Sequence, residues 1–298
     1  MEDVRRIRPH VPRTGRALMR ISIVIVTYNS RDDIDRCLES LRQDRGTATR
    51  EIVVVDNHST DGTAAAVRDR WPSIPVIGVG SNVGFARANN IGVRQTTGEL
   101  VLFLNPDTQV QPGAIDRLVA ALAARPDAAA AGPGLVDGSG RPELSFGSMI
   151  GPLAELRQKL LVRGHDRGWP MVSARVRRLT SVPRDVAWVS GACLLVWRAD
   201  ADAAGLFDER YFMYTEDVDL CAALRARGRK VLFVPGARVV HFRGQSRATA
   251  PEATAAAYRA SQVAFYEKHR PAWAPILRAY MKLRRLLPDT SSNLPERP

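Results

Sequence analysis

The sequence predicts an α/β protein with a mostly parallel central sheet, helices on both faces, and further helices at its carboxyl end. Three observations carry this reading. Short apolar runs rich in β-formers recur at Ile21–Val26, Glu51–Val55 and Leu100–Leu104, and runs of that length and composition are strands buried on both faces. Segments of helical periodicity separate them, and such alternation implies parallel βαβ units. The runs end abruptly on polar turns, most sharply at Asn105-Pro106-Asp107-Thr108, and in open α/β sheets ligands bind beyond the carboxyl ends of the strands.

Each element follows from local chemistry. After the strand at Ile21–Val26, Ser30 and Asp33 supply a capping signal for a helix whose Ile34, Cys37, Leu38 and Leu41 share one face. The Glu51–Val55 strand leads through the polar turn Asp56–Gly62 to a helix over Thr63–Arg70. A short strand at Val76–Val79 passes through Gly80–Gly84 into a helix over Phe85–Gln95, and the Leu100–Leu104 strand follows. A helix over Gly113–Ala124 and a strand near Ala128–Ala131 continue the rhythm. Residues 134–185 break it with Gly, Pro, Ser and many Arg, and read as a long basic loop. Strands return at Val186–Val189 and Cys193–Trp197. Glu216-Asp217-Val218-Asp219 opens a helix through Arg227, ended by Gly228. Strands at Lys230–Val234 and Arg238–Phe242 precede helices at about Glu252–Lys268 and Trp273–Leu287.

Lys and Arg number 43 against 31 Asp and Glu, a net charge of +12 that favours anionic partners without choosing among them. Part of the excess lies in residues 1–20, a flexible basic arm without apolar periodicity. Cys37, Cys193 and Cys221 are widely spaced and odd in number, which argues against a zinc site or disulfide framework and for buried thiols in a reducing cytoplasm. Nothing approaches the roughly 18 to 20 apolar residues that span a bilayer, and the amino end lacks a signal-peptide core.

The strand-end turns bring together Thr27-Tyr28-Asn29, Asp56-Asn57, Asn82 with Gly84 and Arg87, and Asn105 with Asp107. Amides and carboxylates can bond a base and ribose, an arginine at a helix start can meet phosphate, and Asp107 can hold a divalent cation on a diphosphate. Each element also has a plainer use: Asn-Pro-Asp as a turn, Gly80 and Gly84 as a loop into a helix, Glu216 and Asp217 as acids compensating a helix dipole, His241 as a strand histidine.

Together, Val-Thr-Tyr-Asn at 26–29, Val-Val-Asp-Asn-His-Ser-Thr-Asp-Gly-Thr at 54–63, Asn82-Val-Gly-Phe-Ala-Arg-Ala-Asn-Asn90, Asn105-Pro-Asp107, Glu216-Asp217 and His241 resemble the family 2 inverting glycosyltransferases of GT-A fold, in particular their rhamnosyltransferase-like branch. The resemblance spans about Ile21 to Phe242 and implies a Rossmann-like GT-A unit over 21–245. Its nucleotide-sugar half is 21–133 and its acceptor half 134–245, followed by carboxyl-terminal helices and tail at 246–298. It implies donor binding by Thr27, Tyr28, Asn29, Asp56, Asn57, Asn82, Gly84, Arg87, Asn105 and Asp107. It also implies a cation (Mg²⁺ or Mn²⁺) at Asp107 and His241, with Asn105 standing where an Asp-x-Asp motif has its first aspartate. Asp217, with Glu216 beside it, is the implied general base of a single displacement with inversion.

The implied donor is dTDP-rhamnose or, second, a UDP-hexose, and the implied acceptor a hydroxyl of a glycan or polyprenyl-linked saccharide in cell-envelope synthesis. Two other readings are a nucleotidyltransferase of related fold, which does not require the Glu216-Asp217 helix start, and a non-enzymatic nucleic-acid-binding protein. No aromatic-basic motif accompanies the charge, so nucleic acid is not among the expected partners. Gly78-x-Gly80-x-x-x-Gly84 departs from the dinucleotide fingerprint in spacing and follows the third strand. In the last helix, Trp273, Ile276, Leu277, Tyr280, Leu283, Leu286 and Leu287 recur at helical spacing beside Arg278, Lys282 and Arg285. That stripe serves either a peripheral site on the anionic inner face of the plasma membrane or packing against the main domain.

Overall fold

The computed structural model describes residues 19–242, 251–284 and 286. Most of the basic arm, together with Arg285 and Leu287, lies outside these residues.

The first half alternates as its apolar runs dictate. Strand β1 (Arg20–Thr27) is followed by α1 (Ile34–Gln43), β2 (Thr49–Asp56), α2 (Thr63–Arg70), β3 (Val76–Gly78), α3 (Phe85–Arg94) and β4 (Leu100–Leu104). β5 (Thr108–Val110), α4 (Ala114–Ala123) and β6 (Ala128–Val136) complete it. Side chains alternate across the sheet with period two. Ile21, Ile23 and Ile25 of β1, with Leu100, Leu102 and Leu104 of β4, pack under α1, α2 and α4. Val24, Val26, Val101 and Phe103 face the opposite core with α3.

The second half closes the sheet. After β7 (Phe146–Gly147), α5 (Pro152–Asp166), α6 (Pro170–Leu179), β8 (Arg184–Val186) and β9 (Trp188–Val189) come β10 (Cys193–Trp197) and α7 (Arg198–Ala204). Then follow α8 (Glu216–Ala226), β11 (Lys230–His241), α9 (Pro251–His269) and α10 (Ala274–Leu283). The strand order is β3-β2-β1-β4-β10-β6-β11-β5, with β8 paired to β11. β1, β2, β3, β4, β6 and β11 run one way, whereas β10 lies antiparallel between β4 and β6. The start of β10 therefore sits at the carboxyl end of β4, with Cys193 opposite Leu104.

Four local expectations are corrected. Residues 134–185 are not a loop but contain α5 and α6. Each of these helices opens with proline in its first turn, a position where the missing N–H costs nothing. The Ser30–Asp33 capping box does not form: the Ser30 carbonyl accepts the N–H groups of Asp33 and Ile34, and its hydroxyl turns back to the Tyr28 carbonyl. The 186–189 run breaks into two short strands on different sheets, and the two strands at 230–242 are one strand with register shifts, one between Val234 and Arg238. Cys37, Cys193 and Cys221 are buried free thiols, as their apolar settings require.

Candidate active site

The sheet's carboxyl edge gathers the site in two linked groups. At the ends of β1 and β2, the Asn57 main-chain N–H bonds the Thr27 carbonyl, at 2.8 Å. The Asn57 side-chain amide donates to the Asn82 oxygen at 2.8 Å and accepts the Val83 N–H at 2.9 Å. Asn82 also accepts the Gly84 N–H. These asparagines hold the 82–84 loop in shape. Gly84 carries it into α3 at φ +84°, with the Phe212 carbonyl 2.5 Å from where a Cβ would stand. Only glycine meets both conditions. Asn29, itself at positive φ, accepts the Thr60 N–H, and Asp56 accepts that of Ser59. Tyr28 leaves its ring exposed at the end of β1.

Two of the expected donor residues have partners within the protein. Thr27 is completely buried and its hydroxyl donates to Asp56 at 3.2 Å, so it positions Asp56. Arg87 lies within α3, half-exposed, with its guanidinium 3.7 Å from the Glu209 carboxylate.

The second group forms around Asp107. Because β5 pairs antiparallel with β11, His241 stands opposite Thr108, and its Nε2 is 3.4 Å from Asp107 Oδ1. The Phe242 N–H bonds the Asp107 carbonyl and closes the corner. On the other side, His241 Nδ1 lies 3.4 Å from the buried Glu143 carboxylate. Burial opposes charge on this ring, but Asp107 and Glu143 outweigh it and raise its pKa to about 9. Asn105 Oδ1 is buried without a hydrogen-bond partner, whereas Asp107 Oδ1 faces the His241 ring.

The Asn105 turn reaches the acidic helix through one intermediate segment. The Asn105 N–H bonds the Ala192 carbonyl at 3.0 Å, and the Gly191 N–H bonds Asp217 Oδ2 at 2.7 Å. Asp217 Oδ1 accepts the Val218 N–H at 2.8 Å, at the start of α8. Burial raises the Asp217 pKa and these backbone donors hold it back. Glu216 is pushed well above the usual carboxylate range, first by burial and then by Asp217 and Asp219, and its Oε2 has no partner. Two neighbouring carboxyls with differently perturbed environments suit acid–base work.

A glycosyl transferase family 2 model matches residues 22–174, just over half of the chain. The chain belongs to this family. Among its relatives, the N-acetylglucosaminyl-diphospho-decaprenol L-rhamnosyltransferase of Mycobacterium tuberculosis H37Rv is 34% identical over 304 residues, covering 91% of this chain and 94% of that protein. The rhamnosyltransferase WbbL of Escherichia coli K12 is 24% identical over 242 residues, covering 74% of this chain and 83% of that one. Among solved structures, the mannosyltransferase PcManGT from Pyrobaculum calidifontis, in complex with GDP-Man and Mn²⁺, aligns with a TM-score of 0.59 at 21% identity, covering 90% of this chain and 70% of that one. The fold of this glycosyltransferase is GT-A.

Several residues around the candidate site were silent in the sequence. Glu143 approaches His241 across 98 positions of chain, with no local pattern to mark it. Gly191 acts only through its backbone. Asp219, buried in the first turn of α8, accepts Tyr211, Lys268 and His269, which ties α8 to the end of α9. It lies in the acidic run at 216–219, but its partners come from elements brought near only by folding.

Proposed function

We propose that this glycosyltransferase moves L-rhamnose from dTDP-rhamnose to a hydroxyl of an N-acetylglucosaminyl-diphospho-polyprenol, with inversion in a single displacement. The observation that carries this reading is the near full-length similarity to the mycobacterial rhamnosyltransferase, joined to a strand-end site with a cation corner and a separate acidic helix start. Tyr28, Asn29, Asp56 and Asn57 line the nucleotide end, with the base against the exposed Tyr28 ring and the ribose near Asp56. Asn105 and Asp107 face the diphosphate, and Asp217 takes the proton of the acceptor hydroxyl.

The residues present fit a divalent cation. Asn105 Oδ1 is a buried oxygen without a hydrogen-bond partner, Asp107 two residues on carries the negative charge, and His241, which turns Nε2 to Asp107 and Nδ1 to Glu143, would release its Nε2 proton to ligate while Glu143 holds the other nitrogen. Among the described residues no three His, Cys, Asp or Glu side chains form a ready-made cage, so diphosphate and water would complete the coordination. Bound there, Mg²⁺ or Mn²⁺ supplies charge that stabilises the departing nucleoside diphosphate.

A lipid-linked acceptor would bring the reaction to an anionic membrane surface, and the outward apolar residues of α10 support that reading. Of the expected apolar stripe, Leu277 packs on the Tyr211–Phe265 cluster, whereas Trp273, Ile276, Tyr280 and Leu283 face outward; the buried face of α10 is carried instead by Ala274 and Met281. No described helix is long and apolar enough to cross a membrane.

Mass spectrometry of the purified protein, given a short-chain N-acetylglucosaminyl-diphospho-lipid and either dTDP-rhamnose or a panel of UDP-hexoses, tests the assignment. Rhamnosylated product from dTDP-rhamnose is expected; exclusive use of a UDP-hexose would overturn it.

A further inference from the structure

Helix α5 carries a second outward apolar stripe, in the segment whose composition reads as a loop. Leu153 is 83% exposed, Leu156 56% and Leu160 55%. Spaced three and four apart, they lie on one side of the helix. Arg157 and Arg163 flank them in solvent, and among the described residues neither is paired with a carboxylate. At the far end of the helix Trp169 and Met171 are also exposed, and α6 continues the positive surface with Arg175, Arg177 and Arg178.

The segment that opens α5 meets the one that opens α10. Arg270, just before α10, donates to the Ile150 carbonyl just before α5, and Met149 and Ile150 pack in the cluster that buries Ala274. Tyr266 and Gln262 of α9 both donate to Glu155 of α5, bracing the two helices against a common support. The outward face of α10 contributes Trp273 and Tyr280, aromatic residues with polar tips suited to headgroup depth.

We propose that α5 and α10 together form a bipartite docking surface for an anionic lipid bilayer, with α5 as a full partner. This rests on the reading of the acceptor as lipid-linked and extends it to how the enzyme meets that lipid. The occupant follows from charge complementarity. Leucines bordered by unpaired arginines insert favourably where a hydrocarbon boundary lies under negative headgroups. α5 spans about 22 Å at 1.5 Å per residue, so the surface holds the protein at two separated places and not by one terminal helix alone.

Flotation of the full-length protein with phosphatidylglycerol-containing and with purely phosphatidylcholine vesicles tests the proposal. Three proteins are compared: wild type, L153S/L156S/L160S, and I276S/Y280S/L283S. Wild type is expected to float with the anionic vesicles and to be released by salt, and each triple variant to partition at least ~10²-fold more weakly, since three leucine-sized insertions are lost in each. The α5 variant is expected to keep its melting temperature and its turnover with a water-soluble acceptor analogue, because the altered side chains are exposed. Wild-type flotation by the α5 variant, or equal binding of wild type to neutral vesicles, overturns the proposal. So does a fall in molecular mass of the α5 variant on sedimentation with flotation intact, which assigns the stripe to a second copy of the chain. Loss of flotation with rhamnosyl transfer absent from every protein supports the docking surface while rejecting the assigned reaction.

Discussion

Replacing Asp217 by asparagine tests the proposed base, and the structure shows that the substitution is not a silent isostere. Both carboxylate oxygens accept backbone N–H groups, from Gly191 at 2.7 Å and from Val218 at 2.8 Å. An amide has one oxygen, so in either orientation its NH₂ faces a donor and one N–H loses its acceptor. The cost of such a loss is about 1–3 kcal/mol. At ~2–4 °C per kcal/mol in a chain of this size, the variant melts several degrees lower. Removing a general base costs about 10²- to 10⁴-fold in rate, or ~2.7–5.4 kcal/mol of barrier. The two effects separate when turnover is measured well below the melting transition and normalised to the folded fraction from circular dichroism, with donor affinity from calorimetry. Nucleotide affinity is expected to stay near the wild-type value, because Asp217 stands on the α8 side of the site. The acid limb of the pH–rate profile should also disappear. In the wild type that limb lies above the ordinary aspartate range, since burial raises the Asp217 pKa. Retention of more than about a tenth of wild-type turnover, where ~10² is the least loss expected of a base, would refute the assignment.

Three further outcomes follow from the same geometry. Asp107→Ala should weaken nucleotide and Mn²⁺ binding together and His241→Ala more mildly; calorimetry with nucleoside diphosphate, with and without Mn²⁺, would contradict the cation corner if the metal-dependent affinity of Asp107→Ala were unchanged. Burial and the adjacent Asp217 raise the Glu216 pKa above its unfolded value of about 4.3, so the folded protein holds a proton there that the unfolded chain releases, and stability falls as pH rises between the two values. Glu216→Gln is therefore expected to raise the melting temperature at neutral pH, with the gain fading below about pH 4; a lowered midpoint at neutral pH would reject this. Gly84→Ala forces a side chain into a glycine-only backbone region against the Phe212 carbonyl, at a cost of order 1–3 kcal/mol. It should lower both the melting temperature and nucleotide affinity, whereas an unchanged affinity would show that the 82–84 loop does not shape the donor pocket.

The amino-acid sequence by itself determined the layered fold and most of the strand-end turns. Apolar runs such as Leu100–Leu104 are fully buried, and a strand buried on both faces has a local signature that needs no tertiary information. The same holds for the Glu216-Asp217 helix start and for Gly84, where local chemistry is unusual enough to be visible. Tertiary structure decided what each polar residue is used for. Thr27 reads like its neighbours in the turn but points inward to Asp56, because alternation along β1 is resolved only once the sheet has two faces. Arg87 meets Glu209, and His241 meets both Asp107 and Glu143, through pairings that close long loops of chain. α5 escaped detection because the Gly, Pro, Ser and Arg content of 134–185 reads as a loop and outweighs the helical spacing of Leu153, Leu156 and Leu160. Hydrophobic periodicity reports that a face is apolar, while only the packed structure shows which surface covers it.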